Sequence, residues 1–258
     1  MLRFVPVSDG VSLAVEVSGS GPPLVMVHGA GSGRWTFDLL RPLLEPRFEV
    51  WAVDRRGRGD SGDGGDYSLE REFEDVAEVV RAAGEGAVLF GHSYGALVSA
   101  GAARRLQGLT RLVLYEAPMG GVLADVAWQE RFEADLAAGE PGAAVRRFLH
   151  DAGGYSHVEI DVMEGTPAWA WRLAAAPTVP RELEAERALA IDRLGLDRLE
   201  LACLLLVGSD SPAWARRSTE AFAAEIPGVE VRTLEGHGHG AAVSGPGLLA
   251  AELERFLG

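Results

Sequence analysis

The stretch Gly91-His92-Ser93-Tyr94-Gly95 sets a serine between two glycines, each two residues away. The apolar run Ala87-Val88-Leu89-Phe90 before it reads as a buried strand, and Tyr94 to Gln107 after it reads as a helix. A strand that turns this tightly into a helix forces Ser93 into a strained backbone conformation, and side chains at positions 91 and 95 would collide with adjacent backbone. The spacing therefore predicts an exposed serine hydroxyl, suited to nucleophilic attack. Acyl transfer also needs a base, a group that orients the base, and donors for the oxyanion. Two histidines, His237 and His239, follow the apolar run Val229 to Leu234 in the glycine-rich stretch Gly236-His237-Gly238-His239-Gly240. After Leu24 to Val27, the turn His28-Gly29-Ala30-Gly31 lacks bulky side chains, so the amides of Ala30 and of Tyr94 are the expected oxyanion donors. His28, at the strand end, is expected to hold the loop by hydrogen bonds.

These residues need a frame, and the chain has a regular one. Apolar runs at Leu24 to Val27, Val50 to Val53, Ala87 to Phe90, Leu112 to Tyr115, Leu201 to Val207 and Val229 to Leu234 suit strands covered on both faces. Helical patterns lie between them at Trp35 to Glu45, Leu69 to Ala83, Tyr94 to Gln107, Ala213 to Glu225 and Leu248 to Leu257. Alternating strand and helix predicts a mainly parallel sheet. Near the start, Leu2 to Val7 and Val11 to Val17 flank Ser8-Asp9-Gly10, a hairpin signal that adds an antiparallel edge. The alternation stops after Tyr115 and resumes at Leu201. The intervening segment is rich in Ala, Glu and Arg at helical spacing and predicts an inserted helical lid. Its aromatic residues Trp128, Phe132, Phe148, Tyr155, Trp169 and Trp171 either line an apolar substrate pocket or pack the lid onto the core, and Trp128 and Trp169 are the pocket candidates.

Composition narrows the classes of partner. A formal charge of -14 opposes binding to nucleic acid or an anionic membrane, either of which calls for a basic patch. All 24 basic residues are arginine, and the chain has neither lysine nor asparagine, a bias that a GC-rich genome produces through codon usage. Without lysine there is no phosphate-gripping Gly-x-x-x-x-Gly-Lys loop, and without asparagine no N-linked glycosylation. One cysteine, Cys203, lies inside an apolar run, which excludes an internal disulfide and predicts a buried core residue. No signal-peptide pattern and no run of 18 apolar residues is evident, so a cytoplasmic, soluble location is expected. No metal spacing is present and no cofactor is expected.

The segments Met26-Val27-His28-Gly29, Val53-Asp54-Arg55-Arg56-Gly57-Arg58-Gly59-Asp60-Ser61, Gly91-His92-Ser93-Tyr94-Gly95 and Gly236-His237-Gly238-His239, in this order, resemble the α/β-hydrolase superfamily. The resemblance covers nearly the whole chain outside the lid. It implies an α/β fold with a mostly parallel eight-stranded sheet flanked by helices, residues 1–120 and 199–258 forming the core and 121–198 a helical cap inserted after the sixth strand. It implies Ser93 as nucleophile and His239, the last histidine of its motif, as base, with His237 in a secondary role. The Asp54 to Ser61 stretch matches a structural turn. The acid departs from the usual pattern. Three residues after Gly208, where the family commonly carries it, stands Ser211, with Asp210 one place early. Other members carry the acid after the preceding strand, where this chain has Glu116, so Glu116 is preferred and Asp210 is the alternative. The expected activity is a cofactor-independent serine hydrolase acting on a small, apolar ester or lactone. Carbon–carbon bond hydrolysis, perhydrolysis and a non-catalytic ligand-binding role are the alternatives.

Overall fold

Eight strands lie in one sheet: β1 Leu2–Pro6, β2 Ser12–Gly19, β3 Pro23–Val27, β4 Glu49–Val53, β5 Val88–His92, β6 Arg111–Tyr115, β7 Ala202–Gly208 and β8 Glu230–Leu234, in the spatial order β1-β2-β4-β3-β5-β6-β7-β8. The computed structural model describes residues 1–65, 67–120 and 126–258. The β1–β2 and β2–β4 pairs are antiparallel, and every pair from β4 to β8 is parallel. Both the hairpin edge and the parallel body agree with the sequence reading. Apolar residues fill the middle of β3 to β7, with Glu49, His92 and Arg111 only at strand ends, because each face has its own core. Leu24 and Met26 of β3 point to one face while Val25 and Val27 point to the other, and Leu204/Leu206 and Cys203/Leu205 of β7 divide in the same way. Strand order reverses at β3, whose neighbours are β4 on one side and β5 on the other. In an open α/β sheet this switch point leaves a crevice at the carboxyl ends of the two strands, where ligands bind.

Helices cover both faces. On the first lie α2 Leu69–Ala83, α3 Tyr94–Ala103 and α9 Ala213–Glu225; on the second lie α1 Arg41–Leu44, α10 Ala241–Ser244 and α11 Pro246–Leu257. α2 starts where Ser68 Oγ accepts from the Arg71 amide, 3.2 Å away, and stops at Gly84, whose φ of 106° suits only glycine. α3 is buried along its entire length. Its small residues permit this, since a side chain on Gly101 would meet the Phe73 ring of α2 at 2.5 Å. The patterned Trp35 to Glu45 helix is instead a 3-10 turn at Arg34–Phe37 followed by the short α1. Pro42 explains the break, as it cannot donate to the preceding turn and its ring crowds that turn's carbonyl.

Among the described residues between β6 and β7 five helices follow one another, α4 Val126–Ala137, α5 Pro141–Asp151, α6 His157–Glu164, α7 Pro167–Ala175 and α8 Val179–Arg187, with three 3-10 turns among and after them. The first residues of the expected insertion, 121–125, lie outside the described ones. These helices have a core of their own, built on Trp128, Phe132, Val145, Leu149, Ile160 and Val179. Phe132 sits at its centre, fully buried, stacked on Trp128 at 5.4 Å and edge-on to Phe148 at 6.4 Å. Phe132→Ala should cost about 3–5 kcal/mol of stability through lost burial and an unfilled cavity. A urea unfolding midpoint that does not move would show that this cluster contributes nothing to the folded state.

Candidate active site

Ser93 follows β5 directly and is the residue before α3, with φ at 56°. Only two non-glycine residues among those described have positive φ, and the second is Glu116, at 51°. Such conformations cost of order 1–3 kcal/mol each and persist where the surroundings over-determine them. The surroundings of Ser93 do so. A side chain at Gly91 would lie 2.5 Å from the backbone of Ala96, and one at Gly95 would lie 2.3 Å from the carbonyl oxygens of Val27 and His28. Both bracketing glycines are therefore demanded by close approach of backbone. Gly29 on the opposite loop comes as near, for a side chain there would meet Ser93 Cβ at 2.8 Å.

His239 follows β8 and is held from three sides. Its Nδ1 lies 2.5 Å from Glu116 Oε2, its carbonyl accepts from His92 Nε2 at 2.8 Å, and the carbonyl of Gly238 accepts from the Tyr115 hydroxyl. Trp214 of α9 meets the imidazole edge-on, with ring centroids 5.1 Å apart. Glu116 is 1% exposed, and its other oxygen, Oε1, accepts from the Gly208 amide at 2.7 Å and from the Ser211 hydroxyl. Both oxygens of this carboxylate thus meet donors, which is how a buried carboxylate tolerates desolvation. Asp210 is exposed, and its side chain accepts from Ser209 rather than reaching His239. The structure thus brings Glu116 to His239, and not Asp210. His237 turns away: its ring packs against Gly245 and its Nδ1 lies 3.4 Å from Ser244 Oγ.

Sequence reasoning passed over three residues here. His92, the variable residue of the serine motif, ties the serine turn to the histidine loop. Burial, with His239 beside it, holds His92 well below the ordinary imidazole pKa, so it is neutral and carries its proton on Nε2. Tyr115 does similar work through Gly238. Ser211, three residues after Gly208, donates its hydroxyl to Glu116 Oε1. Its presence at that position was the one signal that the sequence offered.

The loop after β3 carries Ala30. Beyond the bonds internal to helices and strands, none of the hydrogen bonds among the described residues uses the amide of Ala30 or of Tyr94, and both residues line the cavity beside Ser93. A buried charge network fixes this loop from behind. Arg55 donates to the carbonyls of His28 (3.0 Å) and Gly29 (3.1 Å), to Glu72 at 2.6 Å and to Glu182 of α8 at 2.6 Å, and Arg58 donates to the same Glu182 oxygen at 2.7 Å. Burial alone would push the Arg55 guanidinium down, but Glu182 and Glu72 raise it above its ordinary value. His28 accepts from the Arg55 amide at Nε2 and donates from Nδ1 to the Gly29 carbonyl. Burial, with Arg55 and Arg58 nearby, holds it well below the ordinary value, so it is a neutral loop anchor.

Ser93, His239, His92, Ala30 and Tyr94 share one cavity of about 80 Å³, closed by Phe148, Leu149, Tyr155, Arg172 and Leu183 of the helical segment and by Trp214. Trp128 and Trp169 do not line it. Both belong to the apolar core of the helical segment, with the Trp128 indole donating to Asp151 at 2.7 Å. Large flat rings pack best in the densest cluster available, and here that cluster is inside the helices rather than at their underside. Cys203 is buried in β7, and desolvation pushes its thiol up to about 11, far from a reactive thiolate. Among the described residues no group of three or more His, Cys, Asp or Glu is arranged to hold a metal, and no helix is long and apolar enough to cross a membrane.

A sheet of this order, with a serine turn after β5 and a histidine after β8, defines the α/β-hydrolase architecture. The chain belongs to the alpha/beta hydrolase family, whose model matches residues 24–252. An alpha/beta hydrolase from Sphaerobacter thermophilus superposes with a TM-score of 0.85 at 36% identity, covering 99% of this chain and 100% of that one. An esterase from Rhodococcus sp. ECU1013 superposes with a TM-score of 0.80 at 25% identity, over 99% and 98% of the two chains. In sequence, a 2-(acetamidomethylene)succinate hydrolase from Mesorhizobium japonicum is 37% identical over 107 residues, which is 40% of this chain and 38% of that one. The match thus spans less than half the length of this curated relative.

Proposed function

We propose that the protein is a serine hydrolase that cleaves a carboxylic ester or lactone through an acyl-enzyme. Ser93 Oγ attacks the carbonyl carbon as His239 Nε2 takes its proton, and the electron pair of the carbonyl moves to oxygen. The amides of Ala30 and Tyr94 donate to that oxyanion. His239 then protonates the leaving alkoxide, the C–O bond of the substrate breaks, and the acyl group remains on Ser93. Water repeats the sequence with His239 as base and releases the acid. Glu116 keeps the Nδ1–H tautomer of His239 and stabilises the imidazolium that forms in each half. The helices from 126 to 187 serve as a lid that excludes water from the acyl-enzyme.

The observation that carries this reading is the pairing of Ser93, strained at φ 56°, with His239 in one cavity, the latter 2.5 Å from a buried carboxylate. Membership of a hydrolase family and the esterase among the similar structures support it. A fluorophosphonate probe tests it. One probe per chain should attach, on the tryptic peptide that holds Ser93, and prior treatment should suppress turnover of p-nitrophenyl esters. A protein that remains unlabelled and hydrolyses no ester or lactone would refute the proposal.

A further inference from the structure

Arg172 of α7 lines the cavity that Ser93 and His239 share. It is partly buried, and among the described residues its side chain has neither an ion pair nor a hydrogen bond; its guanidinium carbon lies 4.7 Å from the centre of the Trp35 ring. The fully buried arginines are treated differently. Arg55 and Arg58 share Glu182, and Arg56 holds Asp75 at 2.6 Å. A guanidinium has five donors, and cation–π contact with Trp35 satisfies none of them. Burial pushes Arg172 below its ordinary pKa, with only Tyr155 working the other way.

Tyr155 supplies a second unspent donor. Its hydroxyl lies against Gly240, where a side chain would come within 2.1 Å of it, one residue from His239. The ring lines the same cavity, and its hydroxyl makes no hydrogen bond among the described residues. Glu186 also borders the cavity and has an interaction of its own; among the described residues no ion pair joins it to Arg172. Beside Glu186, the wall facing the nucleophile therefore carries a guanidinium without a counter-charge and a hydroxyl without a partner among the described residues, in an otherwise mostly apolar lining.

We propose that Arg172, with the Tyr155 hydroxyl, binds a carboxylate carried by the substrate, so that the preferred substrates are esters or lactones of an acid that has a second, ionised carboxyl group. The inference rests on Ser93 being the nucleophile and adds the substrate class. A guanidinium fork accepts a carboxylate through two parallel N–H···O bonds, and in a partly desolvated cavity such a contact discriminates strongly against a neutral isostere. The substrate would then bring the counter-charge that the folded chain leaves out.

The test compares phenyl hydrogen glutarate with its neutral methyl ester, phenol release being followed for both. For the wild-type protein kcat/KM should favour the anion by about tenfold or more, and Arg172→Met should abolish most of that preference, lowering the ratio by about tenfold, chiefly through KM of the anion. Arg172→Lys should restore part of the preference, and Tyr155→Phe should reduce it in a protein that keeps the ring. A readout without turnover uses the Ser93→Ala protein, which should bind glutarate and not glutaramide in calorimetry, and lose that binding when Arg172→Met is added. If Ser93 takes the fluorophosphonate while the ratio is indifferent to Arg172 and glutarate does not bind, the carboxylate site is refuted and the hydrolase reading stands. If glutarate binds through Arg172 and Ser93 neither labels nor supports hydrolysis, the hydrolase reading fails instead.

Discussion

Ser93→Ala should lower kcat on any ester that the protein hydrolyses by about 10³-fold or more, leaving only what oxyanion donors and substrate binding provide. The change removes one oxygen. Alanine keeps the Cβ that packs 2.8 Å from where a Gly29 side chain would be, and at φ 56° it is strained much as serine is. The turn does not depend on the hydroxyl, because its conformation is imposed by the approach of Gly91 and Gly95 to neighbouring backbone and by the Ser93 amide, which donates to the Tyr115 carbonyl at 2.8 Å. Circular dichroism and melting temperature should therefore match those of the parent. Retention of more than about a tenth of kcat, a barrier change under about 1.4 kcal/mol, would remove Ser93 from the chemistry.

The serine turn was the most legible part of the sequence because its constraint is local. Two glycines, a strand and a helix all lie within one short stretch, and each is dictated by contacts that the stretch itself implies. The body of the sheet was legible for a related reason: strands with a core on both faces must be apolar through their middles, and β3 to β7 are, with Glu49, His92 and Arg111 only at strand ends. Helix α2 spans Leu69–Ala83 as patterned, since Ser68 and Gly84 mark its ends. Where an end has no such mark, the pattern overran. Tyr94 to Gln107 stops at Ala103, and the Arg105 guanidinium donates to the Gly101 carbonyl at 2.8 Å, satisfying the helix end from outside the helix. The cavity wall was the least legible part. Which aromatic residues of the inserted helices face Ser93 depends on how five short helices pack, and periodicity within each one does not determine this. Trp128 and Trp169 went to the interior, while Tyr155 and Arg172, which no motif singles out, went to the cavity.

The acid stands between these extremes, and replacing it should be nearly as damaging as losing the nucleophile. In Glu116→Gln the amide has one favourable orientation. The Gly208 amide and the Ser211 hydroxyl both donate to the Oε1 position, so the carbonyl oxygen of glutamine must stay there. Its NH₂ group then faces His239 Nδ1. A donor at that place requires Nδ1 to accept, which moves the imidazole proton to Nε2 and leaves no lone pair to receive the proton of Ser93. The imidazolium that forms during attack also loses its counter-charge. Together these effects should lower kcat by about 10² to 10⁴, by comparison with triads that have lost their carboxylate, at nearly constant KM. Asp210→Asn removes a charge that is exposed and bonded only to Ser209, so activity should fall by less than about tenfold, or roughly 1.4 kcal/mol. The opposite ranking of the two variants would mean that the loop after β7 rearranges in the working enzyme and delivers Asp210 to His239. Comparable, moderate losses in both would mean that the two carboxylates share the histidine, and that Ser211 holds Glu116 for stability rather than for chemistry.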